Sequence, residues 1–167
     1  PVLVIPPEIN QSYITDFAPN QSLVSTIVAA GFKRVAAIEW RSANATTAKR
    51  DIDDSIATIL SCCHHLGEPV HLIGLCQGGW EAAIATALEP ELVASLTLVA
   101  APIDFDAGEG ILKYVARLTP MAAYRLLVSM GGGIMRGHLI SQGFDNLLPL
   151  ERYFLKYLAI WNHLDDE

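Results

Sequence analysis

Val70-His71-Leu72-Ile73-Gly74-Leu75-Cys76-Gln77-Gly78-Gly79-Trp80 is the stretch whose reading decides the fold. Val70 to Leu75 is an apolar run of strand length, Cys76 follows it in a glycine-rich turn, and a helical pattern begins at Gln77. Together they read as a nucleophile elbow, G-x-C-x-G-G, the thiol form of G-x-S-x-G, in which a strained strand-to-helix turn lifts a nucleophile clear of a sheet. Gly74 and Gly78 have a steric reason to be glycine, because a Cβ at either would collide with the strand or the helix that the turn brings together. Gly79 lets the helix lie close. The first free N–H groups of that helix and the positive end of its dipole point toward Cys76, which favours thiolate over thiol. Cysteine is also among the residue types most often buried for packing alone, and that is the reading for Cys62 and Cys63, which share a helical pattern with Ile59 and Leu60. A strand before it and a helix after it set Cys76 apart.

Outward from the elbow, strands and helices alternate. Val2-Leu3-Val4-Ile5, bounded by prolines, has the look of a strand buried on both faces of a parallel sheet. Glu8 to Pro19 predicts a polar loop, and Asn20-Gln21-Ser22 offers caps for a helix through Leu23, Ile27 and Val28 that stops at Gly31. A second strand is predicted at Val35 to Trp40. After a polar link from Arg41 to Thr47, residues Ile52, Ile56, Ile59, Leu60 and Cys63 recur at helical spacing until Gly67. The elbow helix runs to Leu88, Glu89-Pro90-Glu91 breaks it, and Leu96 to Ala100 is the fourth strand. Such alternation with short links predicts an α/β fold with right-handed crossovers and a parallel sheet, whose ligands meet the carboxyl ends of the strands, where Cys76 lies. Beyond Asp104 the rhythm stops. Residues 110–130 and 150–163 read as helices around a break at Gly131-Gly132-Gly133, with Tyr153, Tyr157 and Trp161 spaced for packing. The expected organisation is a core over residues 1–106 and a helical cap or lid over 107–167.

A chain of 167 residues, 51% of them hydrophobic, suits one domain with a sizeable core. The net charge of −7, from 11 basic and 18 acidic residues without a basic stripe, argues against nucleic acid as a partner. Three cysteines, two of them adjacent, give neither a disulfide framework nor a zinc spacing, so a reducing, cytoplasmic setting is expected. No stretch of some 18 apolar residues predicts a membrane span, and no signal-peptide pattern occurs. Nothing in the spacing of ligand residues or glycines implies a metal or a nucleotide, so no cofactor is expected. The chain opens on a strand at Pro1, with no methionine, and its mean hydropathy is high for a complete soluble protein. A piece of a longer protein is the expectation.

Several motifs resemble the polyhydroxyalkanoate synthases of the α/β-hydrolase superfamily. Pro6-Pro7-Glu8-Ile9-Asn10, Tyr13-Ile14, Asp16-Phe17 and Pro19-Asn20-Gln21-Ser22-Leu23-Val24 are similar to that family's P-P-x-I-N-x-x-Y-I-x-D-L-x-P-x-x-S-L-V stretch. Gly74-Leu75-Cys76-Gln77-Gly78-Gly79 resembles its lipase-like box, Asp51-Ile52-Asp53-Asp54 its T-x-D-D-Y helix start, and Pro102-Ile103-Asp104-Phe105 its T-P-x-D-F. The resemblance implies an α/β-hydrolase fold, an acyl-thioester at Cys76, and growth of a polyester from 3-hydroxyacyl-coenzyme A. A thiolate attacks the thioester carbonyl, coenzyme A leaves, and a hydroxyl end takes the acyl group. The oxyanion needs donors in place: Gln77 N–H is one, and the backbone N–H of Glu8 or Ile9 after the first strand is the natural second.

The family's catalytic aspartate and histidine lie in later strand-end loops, expected here beyond residue 167. Asp104, at the end of the strand beside the elbow, is a candidate acid or a structural residue. His64, His65 and His71 are poorly placed for a base, and His138 and His163 belong to the cap-like tail. Glu8 stands where the family has an apolar residue, and Trp80 where it has a small one. Three functions stay open: an acyltransferase of the synthase type; an intracellular depolymerase or other thiol-dependent hydrolase on the same scaffold; and an inactive hydrolase fold that binds a partner or a polyester granule. A homodimer or a partner subunit is compatible with each.

Overall fold

Strand β1, Val2–Ile5, is buried along its whole length and lies inside a four-stranded sheet. The other strands are β4 (Val35–Ala37), β5 (Val70–Leu75) and β6 (Val93–Val99), in the order β4-β1-β5-β6 and parallel throughout. The structure is a computed structural model that describes residues 1–9, 12–146 and 154–162. It divides into two compact units, Pro1–Phe105 and Asp106–Glu167.

Three helices link the strands of the first unit: α1 (Leu23–Ala29), α2 (Ile52–Leu66) and α3 (Gln77–Leu88). From β1 the chain steps to β4 on one side, then returns across β1 to β5 and on to β6. Crossovers of one hand that travel in opposite directions leave their helices on opposite faces. The core obeys this rule: Leu3, Ile5, Val70 and Leu72 pack with Ile56 and Ile59 of α2 and Ala82 and Ala85 of α3, whereas Val2 and Val4 pack with Ile27 of α1. Two helices cover one face and one helix the other, so β5 alternates buried Val70, Leu72 and Gly74 with half-buried His71, Ile73 and Leu75.

The helix boundaries have local causes. The Ser22 hydroxyl accepts from Ser25 N at 2.8 Å and starts α1, and Gly31 follows its end at φ 100°. A capping box of Asp51 and Asp54 opens α2, and left-handed Gly67 closes it. Three expectations for this unit need correction. The loop after Glu8 contains a 3-10 turn at Ser12–Thr15 and a small hairpin of β2 (Asp16–Ala18) and β3 (Gln21–Ser22), since Thr15 is buried and the Ser22 hydroxyl bonds to Asp16 Oδ1 at 2.5 Å. The second strand stops at Ala37, although Ile38 N still donates to Val4 O at 3.0 Å. The fourth begins earlier, at Val93, because it pairs along the whole of β5, and Ala100 leaves it with φ 49°.

The second unit holds α4 (Ile111–Leu118), α5 (Met121–Met130), α6 (Gly137–Asp145) and α7 (Lys156–Asn162). The predicted helix over 110–130 is two helices, because Pro120 forces Thr119 into extended backbone. Gly132 and Gly133 turn the chain at φ 76° and 95°. The sequence reading did not anticipate α6. Of the expected helix over 150–163, α7 is described and Tyr153 and His163 lie outside the described residues; Tyr157 and Trp161 are exposed rather than packed. Among the described residues no helix is long and apolar enough to cross a membrane.

Candidate active site

Cys76 leaves the end of β5 with φ 50° and ψ −115° and stands exposed at the head of α3. A non-glycine residue takes a positive φ only at a penalty, and such strain gathers at functional turns. Two backbone hydrogen bonds hold the turn. Cys76 N donates to Val99 O of β6 at 2.9 Å, and Gly79 N donates to Cys76 O at 3.0 Å. The glycines permit the close approach: a Cβ on Gly74 would lie 2.5 Å from Gly79 Cα, one on Gly78 would lie 2.3 Å from Ile5 O, and one on Gly79 would meet the Ala101 methyl at 2.4 Å. The collision expected from the sequence at Gly74 and Gly78 is therefore with helix backbone and with β1, and Gly79 accommodates the segment after β6.

The carboxyl ends of β1 and β5 lie side by side, and the chain departs from them toward opposite faces of the sheet. Adjacent strands of that kind open a crevice where ligands bind in open α/β sheets. Gln77, the first residue of α3, and the segment after Ile5 border it. That segment is pinned: Trp40 Nε1 donates to Pro6 O at 2.8 Å, the Ser55 hydroxyl donates to the Glu8 carboxylate, and Arg50 stands 3.9 Å from Glu8. Arg50 also lies 5.8 Å from the Trp40 ring centroid. Ile9 is exposed in the turn that follows.

Asp104 is exposed in the segment after β6. Next to it Phe105 meets Trp80 of α3 edge to face, with ring centroids 6.5 Å apart. The histidines of the first unit are far from Cys76 along the sheet. His64, at the end of α2, pairs with Glu89 beyond α3 at 2.9 Å, and His71 sits at the start of β5 against Ser95 Oγ at 2.8 Å. A hollow between Cys63 to Pro69 and Glu91 also belongs to that end. Cys63 is buried and Cys62 half-buried, and burial raises both thiols above their ordinary range. Among the described residues no three His, Cys, Asp or Glu side chains group so as to hold a metal ion.

Glu81 is the polar residue that sequence reasoning missed. It is 1% exposed, one turn along α3 from Gln77, whose Nε2 donates to its Oε1 at 2.9 Å. Its Oε2 has no hydrogen-bond partner among the described residues. Burial above all lifts its carboxyl from an ordinary 4.5 to about 7; the Gln77 bond and Arg50 pull it down, and Glu8 pushes it up. The only sequence signal was an acidic residue on an otherwise apolar helix face, between Ala82 and the elbow glycines.

A parallel sheet that hands a strained, exposed cysteine to a glycine-packed helix defines a domain of the α/β-hydrolase class. The chain belongs to the family described as "Protein of unknown function (DUF3141)", which matches over residues 56–167. It is 27% identical over its whole length to the "Poly(3-hydroxyalkanoate) polymerase subunit PhaC" of Haloferax mediterranei, covering 35% of that protein. It is 27% identical over 99% of its length to the polymerase subunit of the same name from Allochromatium vinosum, covering 47% of it. An "Uncharacterized protein in ackA 5'region" of Rhizobium meliloti is 30% identical over 60% of the chain. The chain thus spans about a third to a half of the length of these polymerase subunits.

Proposed function

We propose that this chain carries the nucleophile of an acyltransferase of the polyhydroxyalkanoate-synthase type. The observation that carries the reading is the exposed Cys76 at positive φ between β5 and α3, in a chain similar along its full length to polyhydroxyalkanoate polymerase subunits. The Cys76 thiolate attacks the thioester carbonyl of a 3-hydroxyacyl-coenzyme A, forming a C–S bond and a tetrahedral oxyanion. Collapse breaks the bond to coenzyme A, whose thiolate leaves and takes a proton. The hydroxyl end of a growing polyester then attacks the acyl-Cys76 thioester, gives its proton away, and returns the thiol. Gln77 N–H, with the N–H of Glu8 or Ile9, serves the oxyanion. The base that relays protons comes from beyond residue 167, and the acid that orients it either lies there too or is Asp104, which otherwise acts structurally. Residues 1–106 form the catalytic core, residues 107–167 its helical cap, and the protein works in the cytoplasm at polyester granules, as a homodimer or with a partner subunit.

The test is coenzyme A release from 3-hydroxybutyryl-coenzyme A by the full-length protein and its Cys76→Ala variant. Loss of release with retained folding is expected, and unchanged release rejects the role given to Cys76. Product analysis then separates polymer from free 3-hydroxybutyrate, and free acid alone assigns a thiol-dependent hydrolase instead.

A further inference from the structure

Glu81 takes no part in the chemistry just described, yet it is the one buried ionisable side chain of the core cluster's helix α3. A carboxyl group taken out of water is retained against a free-energy penalty unless its partners compensate, and among the described residues one oxygen has none. Its other oxygen holds the Gln77 side chain, and Gln77 is the residue whose amide follows the nucleophile. Across the crevice the charged groups that act on Glu81 are Glu8, after β1, and Arg50, before α2. Glu8 is itself fastened to Ser55 of α2 and to Arg50. The cluster therefore spans both segments that border Cys76.

We propose that Glu81 is a positioning residue of the Cys76 site: its buried carboxyl group clamps Gln77 at the head of α3 and holds that turn in register with the Glu8 segment. This rests on the reading of Cys76 given above. In the protonated form, Glu81 accepts the Gln77 hydrogen bond without a net charge in the core. On ionisation the carboxylate becomes the stronger acceptor for Gln77 but buries a negative charge that faces Glu8, with Arg50 as the cation that offsets the pair.

The experiment compares wild type, Glu81→Gln and Glu81→Ala in the full-length protein, reading kcat and KM for coenzyme A release from pH 5.5 to 9 and, separately, the rate at which iodoacetamide alkylates Cys76, followed by peptide mass spectrometry. Glu81→Ala should lower kcat by about 10-fold or more with KM little changed, because a small misplacement of reacting groups is costly. Glu81→Gln keeps an oxygen that accepts from Gln77 and should restore kcat across the pH range. Cys76 alkylation should slow in Glu81→Ala and not in Glu81→Gln. If both variants match wild type in kcat, pH profile and alkylation while Cys76→Ala abolishes release, the positioning role is wrong and the acyl-transfer reading stands. If Cys76→Ala leaves release intact, that reading falls and the alkylation rates alone decide: equal rates in Glu81→Ala and wild type overturn the clamp.

Discussion

Gly78→Ala adds one methyl group at the point where α3 passes β1, and the structure fixes what it meets. The new Cβ would stand 2.3 Å from Ile5 O and 2.9 Å from Ile5 Cγ2. Against an ordinary contact of about 3.5 Å, helix and strand must part by about 1 Å. Neither yields cheaply: Ile5 is fully buried in the central strand, and α3 is seated in the core by Ala82 and Ala85. Forced overpacking of this kind costs about 1–3 kcal/mol, whereas replacing glycine in a helix returns at most about 1 kcal/mol. The net expectation is a loss of about 1–2 kcal/mol. Gly143→Ala in α6 is the matched control, since its Cβ meets nothing within 4 Å among the described residues and only the gain of about 0.5–1 kcal/mol remains. Urea unfolding of both variants, with slopes of about 1–3 kcal/mol per molar, should move the midpoints in opposite directions, down by about 1 M for Gly78→Ala. A Gly78→Ala protein as stable as wild type would refute the close approach of elbow and β1.

Trp40→Phe removes the donor to Pro6 O and leaves a buried carbonyl unpaired, so denaturant unfolding should show a loss of about 1–3 kcal/mol; no loss would mean that Trp40 does not pin the segment after β1. Because the Glu81 carboxyl is raised in the folded state from 4.5 to about 7, its contribution is fully present below about pH 4.5 and is lost as pH rises through 7. That loss amounts to at most about 3 kcal/mol, and the difference between wild-type and Glu81→Gln stability should track it, a flat difference across that range counting against burial of the charge.

The features legible in the sequence are those that a few neighbouring residues determine. Asp51 and Asp54 cap α2 from three positions apart, Gly67 ends it in a left-handed turn, and the elbow glycines stand next to the cysteine they accommodate. Even the break at Pro120 was readable from the effect of proline on the residue before it, and was lost because the apolar periodicity runs through it. Features made by distant parts of the chain were not readable. The Glu8–Ser55 contact joins residues 47 positions apart, and Trp40 reaches Pro6 across 34. No local pattern announces that a glutamate on α3 faces those groups. The small hairpin at Asp16–Ser22 was hidden for another reason: polar residues such as Asp16 and Ser22 bond to each other there, which composition alone assigns to a loop.

Two non-glycine residues in the described structure have positive φ, Cys76 at 50° and Ala100 at 49°, and each directly follows one of two adjacent parallel strands. Conformations of this kind cost on the order of 1–3 kcal/mol each and persist only where the surroundings over-determine them. At Ala100 the compensation is visible as packing, because the turn delivers the Ala101 methyl onto Gly79 and brings Phe105 to the Trp80 ring. At Cys76 no such return is visible: the side chain is exposed and makes no capping hydrogen bond to α3. Glycine would satisfy the backbone at that position with less strain, and Gly74, Gly78 and Gly79 nearby are already glycine where contact demands it. A thiol at a strained, solvent-facing corner fits the nucleophile role proposed for Cys76, which the better-buried Cys62 and Cys63 do not.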